Sequence, residues 1–430
     1  MSNFRITTNG LFRNYRTNLS KNNQKLNQAM IGVETQRKFN SYAEDPAAAS
    51  KAWRLRRSYW RTNDQIDNNN YIISKYESAS AAMHVIVDGD ATNDDYGLGL
   101  EGILSAIEGI SGQSGAARVA LGKQLVQSSE SMVSMMNTKY GDEYVFAGAD
   151  GNNIPFAWEG DRLLYRGVDV STPATDYQTS DFGVTKEMMK MDKPLSAEEY
   201  KAEHAGATDA EYEAYQKSYV DGTPYYNSFE DARADYARVE KYNAAKEAYE
   251  TAHPGYGFED ALKLSDMANE TTYVDIGLGM KEDDKGRIIE GSAFNSAVSG
   301  LTFLGYGEDN NLAVIVRELG QIFSDADPDT GDYARTTDEA RADELLNKLH
   351  DAVRNSQSQH VQLEADAKYL KTNVKQLETN RDQLDEQIVD TEDLEMGDAI
   401  MNMSWAQYCY NAALRIGTNI LSQSLIDYMS

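Results

Sequence analysis

The sequence has a single cysteine, Cys409, in 430 residues, so no disulfide can form within one chain. It has five histidines and seven prolines. No stretch of 18 apolar residues occurs, which excludes an ordinary membrane-spanning helix. The N-terminal "MSNFRITTNGLFRNY" lacks an apolar core and a cleavage site, so no secretory signal is expected. Positive charge is scarce: 41 Lys and Arg stand against 69 Asp and Glu, a net charge of −28. Phosphate-binding surfaces need clustered cations, so nucleic acid is not an expected partner.

Motifs of catalysis and ligation are missing too. There is no HExxH, CxxC or GxSxG. "GQSGAARVALGKQ" ends like a phosphate-binding loop, but Ala117 and Gln124 stand where Gly and Ser/Thr are needed. "DADPDTGDYART" (325–336) spaces its acids like a calcium loop, yet Thr330 and Thr336 replace the required Gly and Glu. A solvated turn is the better reading. His360 falls on a helical seam, where a core polar residue is expected and not a metal ligand. No catalytic residue, cofactor or metal site is therefore assigned.

What the sequence has is helical periodicity at both ends. Phe12, Leu19, Leu26 and Val33 recur every seven residues, with Tyr15, Asn22 and Ala29 three further on. Residues 36–43 break the pattern. Asp45 then has the character of an N-cap and Pro46 that of a first helical residue, so a second helix should start there. Its seam runs Leu55, Tyr59, Thr62, Ile66, Asn69, Ile73, Tyr76, Ser80, Met83, Val87. A third helix is predicted from about 98 to 140. From Asp338 a seam from Leu346 and Leu349 to Leu384 and Ile388 keeps 3-4 spacing. "DTEDLEMGD" (390–398) interrupts it. A last helix, about 399–428, is apolar on two sides. Ile400, Met403, Tyr410, Leu414 and Leu421 form one row; Trp405, Tyr408, Ala412, Ile416 and Ile420 form the other.

Inside the helices the period shortens. "EYVFAGADGNNIPFAWEGDRLLYRG" (143–167) reads as strands and tight turns, and 271–280 with 286–295 reads as further β structure. Residues 172–270 hold 11 of the 27 tyrosines, with 21 acidic against 10 basic residues. They read as an inserted, surface-displayed domain.

The expected fold is mainly α with a smaller β component: an elongated rod of long coiled-coil-like helices from both chain ends, short β-hairpins, and a central α/β or α+β insertion. The expected domains are terminal helices (1–40, 395–430), a helical rod with hairpins (41–170, 271–394) and the insertion (172–270). Residues 1–63 carry twelve basic and three acidic residues, while 382–430 carry one basic and nine acidic. The ends are therefore electrostatic complements, expected to lie side by side.

Both ends resemble bacterial flagellins and, more closely, flagellin-like hook-associated proteins of the hook–filament junction. The N-terminal carriers are "LFRNYRTNLSKNNQKLNQAMIG" and "KFNSYAEDPAAASKAWRLR". The C-terminal carrier is "DLEMGDAIMNMSWAQYCYNAALRIGTNILSQSLIDYMS". "NTKYGDEYVFAGADGNNIPF" (137–156), "TTYVDIGLGM" and "GLTFLGYG" resemble the junction type. The similarity covers about 1–170 and 271–430, not the insertion. It implies a structural protein, exported uncleaved to the extracellular flagellum. It would form a ring of identical neighbours between the hook-side junction protein and flagellin, with an export chaperone on the C-terminal helix. It also implies terminal helices that are disordered in the monomer. The expected assembly residues are Phe12, Tyr15, Leu19, Leu26, Val33, Ile400, Met403, Trp405, Tyr408, Tyr410, Leu414, Ile416, Leu421 and Tyr428, with Asp45 and Pro46 marking the helix start after a joint. A flagellin filament subunit is the alternative. An enzyme carried in the insertion and a cytoplasmic coiled-coil scaffold are readings from other classes.

Overall fold

The computed structural model describes residues 8–89, 99–112, 114–222, 226, 228–284, 286–289 and 291–429; for 8–9, 11–12, 111–112 and 420–429 the description is of the backbone. The fold is mainly α with a smaller β component. The chain divides into two compact units, Met1–Asn69 with Thr372–Ser430, and Asn70–Lys371.

In the first unit, α1 (Thr8–Thr35) packs on α13 (Met396–Met429). The two run antiparallel, because Tyr15 lies against Gly417 and Gly32 against Leu394. Both glycines mark close approaches. A Cβ on Gly32 would come 3.3 Å from Leu394, and one on Gly417 would sit 2.0 Å from the Tyr15 hydroxyl oxygen. Helix α1 ends where Gln36 takes a left-handed conformation, φ 59°.

The helix start anticipated at Asp45 is that of α2 (Pro46–Asp88). Asp45 Oδ1 accepts the backbone N–H groups of Ala47 (3.1 Å) and Ala48 (3.0 Å), two donors a helix start leaves without partners. Pro46, with no N–H to satisfy, is the first residue. The 55-residue α12 (Asp338–Glu392) completes the unit with its last turns. Here Asn69 is fully buried and accepts a hydrogen bond from Asn373 at 3.2 Å.

The second unit contains the remaining parts of α2 and α12 and everything between them. Ile73, Tyr76, Met83 and Val87 of α2 are buried, as are Leu349, Val353, Ser356, Leu363, Ala367 and Leu370 of α12. His360 is 8% exposed, 3.1 Å from Ser80 Oγ and 3.5 Å from Glu364. Among the described residues no group of three potential ligands is placed to hold a metal.

The predicted third helix is two: α3 (Leu100–Glu108) and α4 (Gly115–Met136). A 3-10 turn follows α3, and Ser114 caps α4 by accepting the Ala117 N–H. Three glycines in "GISGQSG" explain the break, since each weakens a continuous helix. Helix α4 packs on α11 (Leu312–Ser324) through glycine: a Cβ on Gly122 would sit 2.6 Å from the Gly320 carbonyl and 2.4 Å from the Ser324 nitrogen. The "phosphate-loop" glycine is thus a helix-crossing residue. In the acidic turn, Asp327 Oδ1 accepts the N–H groups of Asp329 and Thr330, and Arg118 donates to the Gly331 carbonyl.

The strands are short and antiparallel. β1 (Lys139–Tyr140) pairs with β2 (Glu143–Tyr144), and β3 (Ala147–Gly148) with β9 (Val298–Ser299). β4 (Phe156–Glu159), β5 (Arg162–Tyr165) and β6 (Val168–Asp169) form a meander turning at Gly160 and Gly167, both with positive φ. β7 (Tyr273–Val274) pairs with β8 (Phe294–Asn295), a smaller sheet than 271–280 and 286–295 suggested. Arg166 holds both oxygens of Glu270 at 2.7 and 2.8 Å, and Glu270 also accepts the Ala149 N–H.

The insertion is helical, which corrects the expected α/β or α+β reading. It contains α5 (Thr179–Phe182), α6 (Ala197–Glu203), α7 (Asp209–Gly222), α8 (Phe229–Ala252) and α9 (Phe258–Ala268), and no strand among its described residues. Its tyrosines fall at helical spacings. Phe182, Tyr242, Tyr249, Phe258 and Leu262 form one core. Tyr200, Tyr212, Tyr215 and Tyr219 pack around a second, with Phe229 at the start of α8.

Candidate assembly surface

The two helix breaks read separately in the sequence meet in the structure. Leu394 N–H donates to the Gln36 carbonyl (2.8 Å), and Lys38 N–H to the Glu392 carbonyl (2.7 Å), with an antiparallel bridge between Arg37 and Asp393. Arg56 clamps Glu392 with two nitrogens, one at 2.8 Å. The Glu392 side chain is 9% exposed and that of Arg56 45%, so this pair is partly withdrawn from water. The Lys38 ammonium reaches the Asp390 carbonyl. Backbone pairing, with one charged clamp, therefore holds the junction from which α1 and α13 leave together.

Along α1 the predicted seam is the side turned inward. Tyr15, Leu19, Asn22, Leu26, Ala29 and Val33 are half-buried and Gly32 is buried; the intervening residues from 13 to 31 are exposed. On α13 the inward side is Ala399, Met403, Ala406, Tyr410, Ala413 and Gly417, buried or half-buried. Cys409 and Ala413 line a groove with Asn18, Leu19 and Asn22 of α1.

The rest of α13 is open, and it exposes large apolar side chains among polar ones. Ile400 is 48% exposed, Met401 63%, Trp405 69%, Tyr408 70%, Leu414 40% and Ile416 56%. At 100° per residue these six spread over about 200° of the helix. Trp405 and Tyr408 stack on each other with centroids 6.2 Å apart. The structure thus divides the two predicted rows differently: Met403 and Tyr410 turn toward α1, while Ile400 and Leu414 join Trp405, Tyr408 and Ile416 outside. The side chains of Phe12, Leu421 and Tyr428 lie outside the described residues. Met401 and the close-approach glycines Gly32 and Gly417 were not singled out by periodicity. A row template counts large side chains and is blind to positions where none fits.

Of the open residues of α13, Met401, Trp405, Tyr408 and Ile416 fall within about 80° of one another around the helix and make a candidate interaction site, because each Å² of apolar surface left wet forfeits about 25 cal/mol of transfer free energy. Among the described residues no helix is long and apolar enough to cross a membrane.

No protein-family model matches the chain, and no curated protein matches it. Among solved structures it is similar to a candidate flagellar hook-associated protein from Vibrio parahaemolyticus, at 10% identity and a TM-score of 0.46, over 81% of this chain and 100% of that one.

Proposed function

We propose that the chain is a structural subunit of the bacterial flagellum, a flagellin-like hook-associated protein that forms a junction ring between hook and filament. The observation that carries this reading is α13: one side takes the chain's own N-terminal helix, and the other presents Trp405, Tyr408 and Ile416 to solvent. A helix covered on one side, with large apolar side chains open on the other, is suited to burial by neighbouring copies. The terminal and hairpin motifs support the flagellar assignment. The partners under this reading are identical neighbours, the hook-side junction protein, flagellin, and an export chaperone that covers the C-terminal helix before export. The protein acts outside the cell, without nucleic acid or membrane insertion, and performs no catalysis.

Deletion of the gene tests it. Cells without this protein should keep their hooks and release flagellin unpolymerised into the medium. Loss of flagellin itself, with no other source of filament, identifies a filament subunit instead. Motile cells with normal filaments overturn both flagellar readings.

A further inference from the structure

Helix α2 carries a second open surface. Trp53, Arg57 and Trp60, spaced four and three residues apart, share one side of the helix. Trp53 is 62% exposed and Trp60 63%. Arg57 lies over the Trp53 ring, 5.7 Å from its centroid, and the Tyr59 ring meets Trp60 edge-on at 5.6 Å. From Lys51 to Arg61 there are five basic residues and no acidic one, within a chain of net charge −28. The end of α12 is its complement. Residues 382–398 hold eight acidic residues and no basic one. Asp382, Glu386 and Val389 share one side of the helix, with Val389 46% exposed.

These rows cannot meet within one copy. Both helices belong to the same unit, and their seams, Leu55, Tyr59 and Ile66 on α2 and Leu377, Leu384 and Ile388 on α12, are buried or half-buried. By helical geometry each open row lies on the side opposite its own seam. Among the described residues neither Arg54 nor Arg57 has a carboxylate partner, and neither Asp385, Glu386 nor the Asp390 carboxylate has a basic one.

We propose that the Trp53–Arg57–Trp60 stripe of one copy docks on the Asp382–Glu386–Val389 row of a second copy. Trp and Arg are the residues that dominate binding at protein interfaces, and a guanidinium already stacked on an indole gives up little freedom in meeting a carboxylate. The contact joins two different surfaces, so it propagates from copy to copy and suits a ring or a helical array. It is weak and salt-sensitive: dilute protein leaves it open, and high local concentration closes it. It extends the assembly reading above, but needs only that copies meet, not that they meet in a flagellum.

Sedimentation velocity of the purified full chain over a concentration series at low salt tests it. Arg57→Glu and Glu386→Arg should each weaken self-association about tenfold, roughly 1.4 kcal/mol. Mixing the two variants should restore a dimer, because the reversed charges then face each other across copies. Trp60→Ala should weaken association without any such rescue. Three results overturn the proposal: no association of the unaltered chain, association indifferent to both charge reversals, or no recovery on mixing. If rescue on mixing holds while the protein is found away from flagella, the contact stands and the flagellar reading falls.

Discussion

At Asp45 one carboxylate oxygen satisfies two helix N–H groups, so Asp45→Ala should cost about 1 kcal/mol of stability, read as a lower urea midpoint with an unchanged slope. Gly122 is constrained from the other side: any Cβ meets the backbone of α11. Gly122→Leu should therefore destabilise by about 1–3 kcal/mol or more, and a Tm equal to that of the unaltered chain would contradict the crossing. Arg341 forms two-toothed pairs with Asp309, at 2.7 and 2.7 Å, and with Glu318, at 2.7 and 3.0 Å. The hydrogen bond to Arg341 lowers the Asp309 pKa below the usual carboxylate range. A carboxylate depressed in the folded state contributes stability above its unfolded pKa and loses it as pH falls through the folded one. Asp309→Asn should remove that part of the acid dependence, so the stability of the variant falls less between neutral and acidic pH.

Among the elements, the long helices were the most legible in the sequence. The seams of α2 and α12 fall on buried or half-buried positions throughout, because a repeat sustained over more than four heptads in one helix and about six in the other leaves little freedom of phase. The α3–α4 break was legible only as three glycines, which tolerate a helix as well as end one. The composition of the insertion, acidic and rich in Tyr, does not by itself choose between mixed and helical structure, whereas its tyrosines at 212, 215 and 219 are spaced for a helix. For the candidate surface, the apolar residues of α13 were readable but their division was not: which side faces inward is decided by α1, a partner far away in the chain. The exposed Trp53 and Trp60 escaped notice because periodicity searches look for what is buried. A prediction belongs to α13 itself. Trp405→Ser with Tyr408→Ser should leave thermal unfolding nearly unchanged, since both side chains are open to water, while abolishing incorporation into assembled structures. A large drop in Tm would show instead that these residues support the fold of a single copy.

For the whole molecule, the charge asymmetry between the chain ends takes a specific form. The basic and acidic segments come together through backbone pairing and Arg56–Glu392, leaving much of both charge rows open to solvent. Assembly should accordingly weaken as salt rises toward a Debye length of about 8–10 Å and below, whereas assembly indifferent to salt would assign the driving force to the apolar face of α13 alone. The proposed role puts the protein in a ring at the junction of hook and filament. Immunogold electron microscopy of detached flagella tests it most directly. The account predicts a single band of label at the distal end of the hook. Label along the filament would make the chain a filament subunit, and flagella without label would contradict the flagellar role altogether.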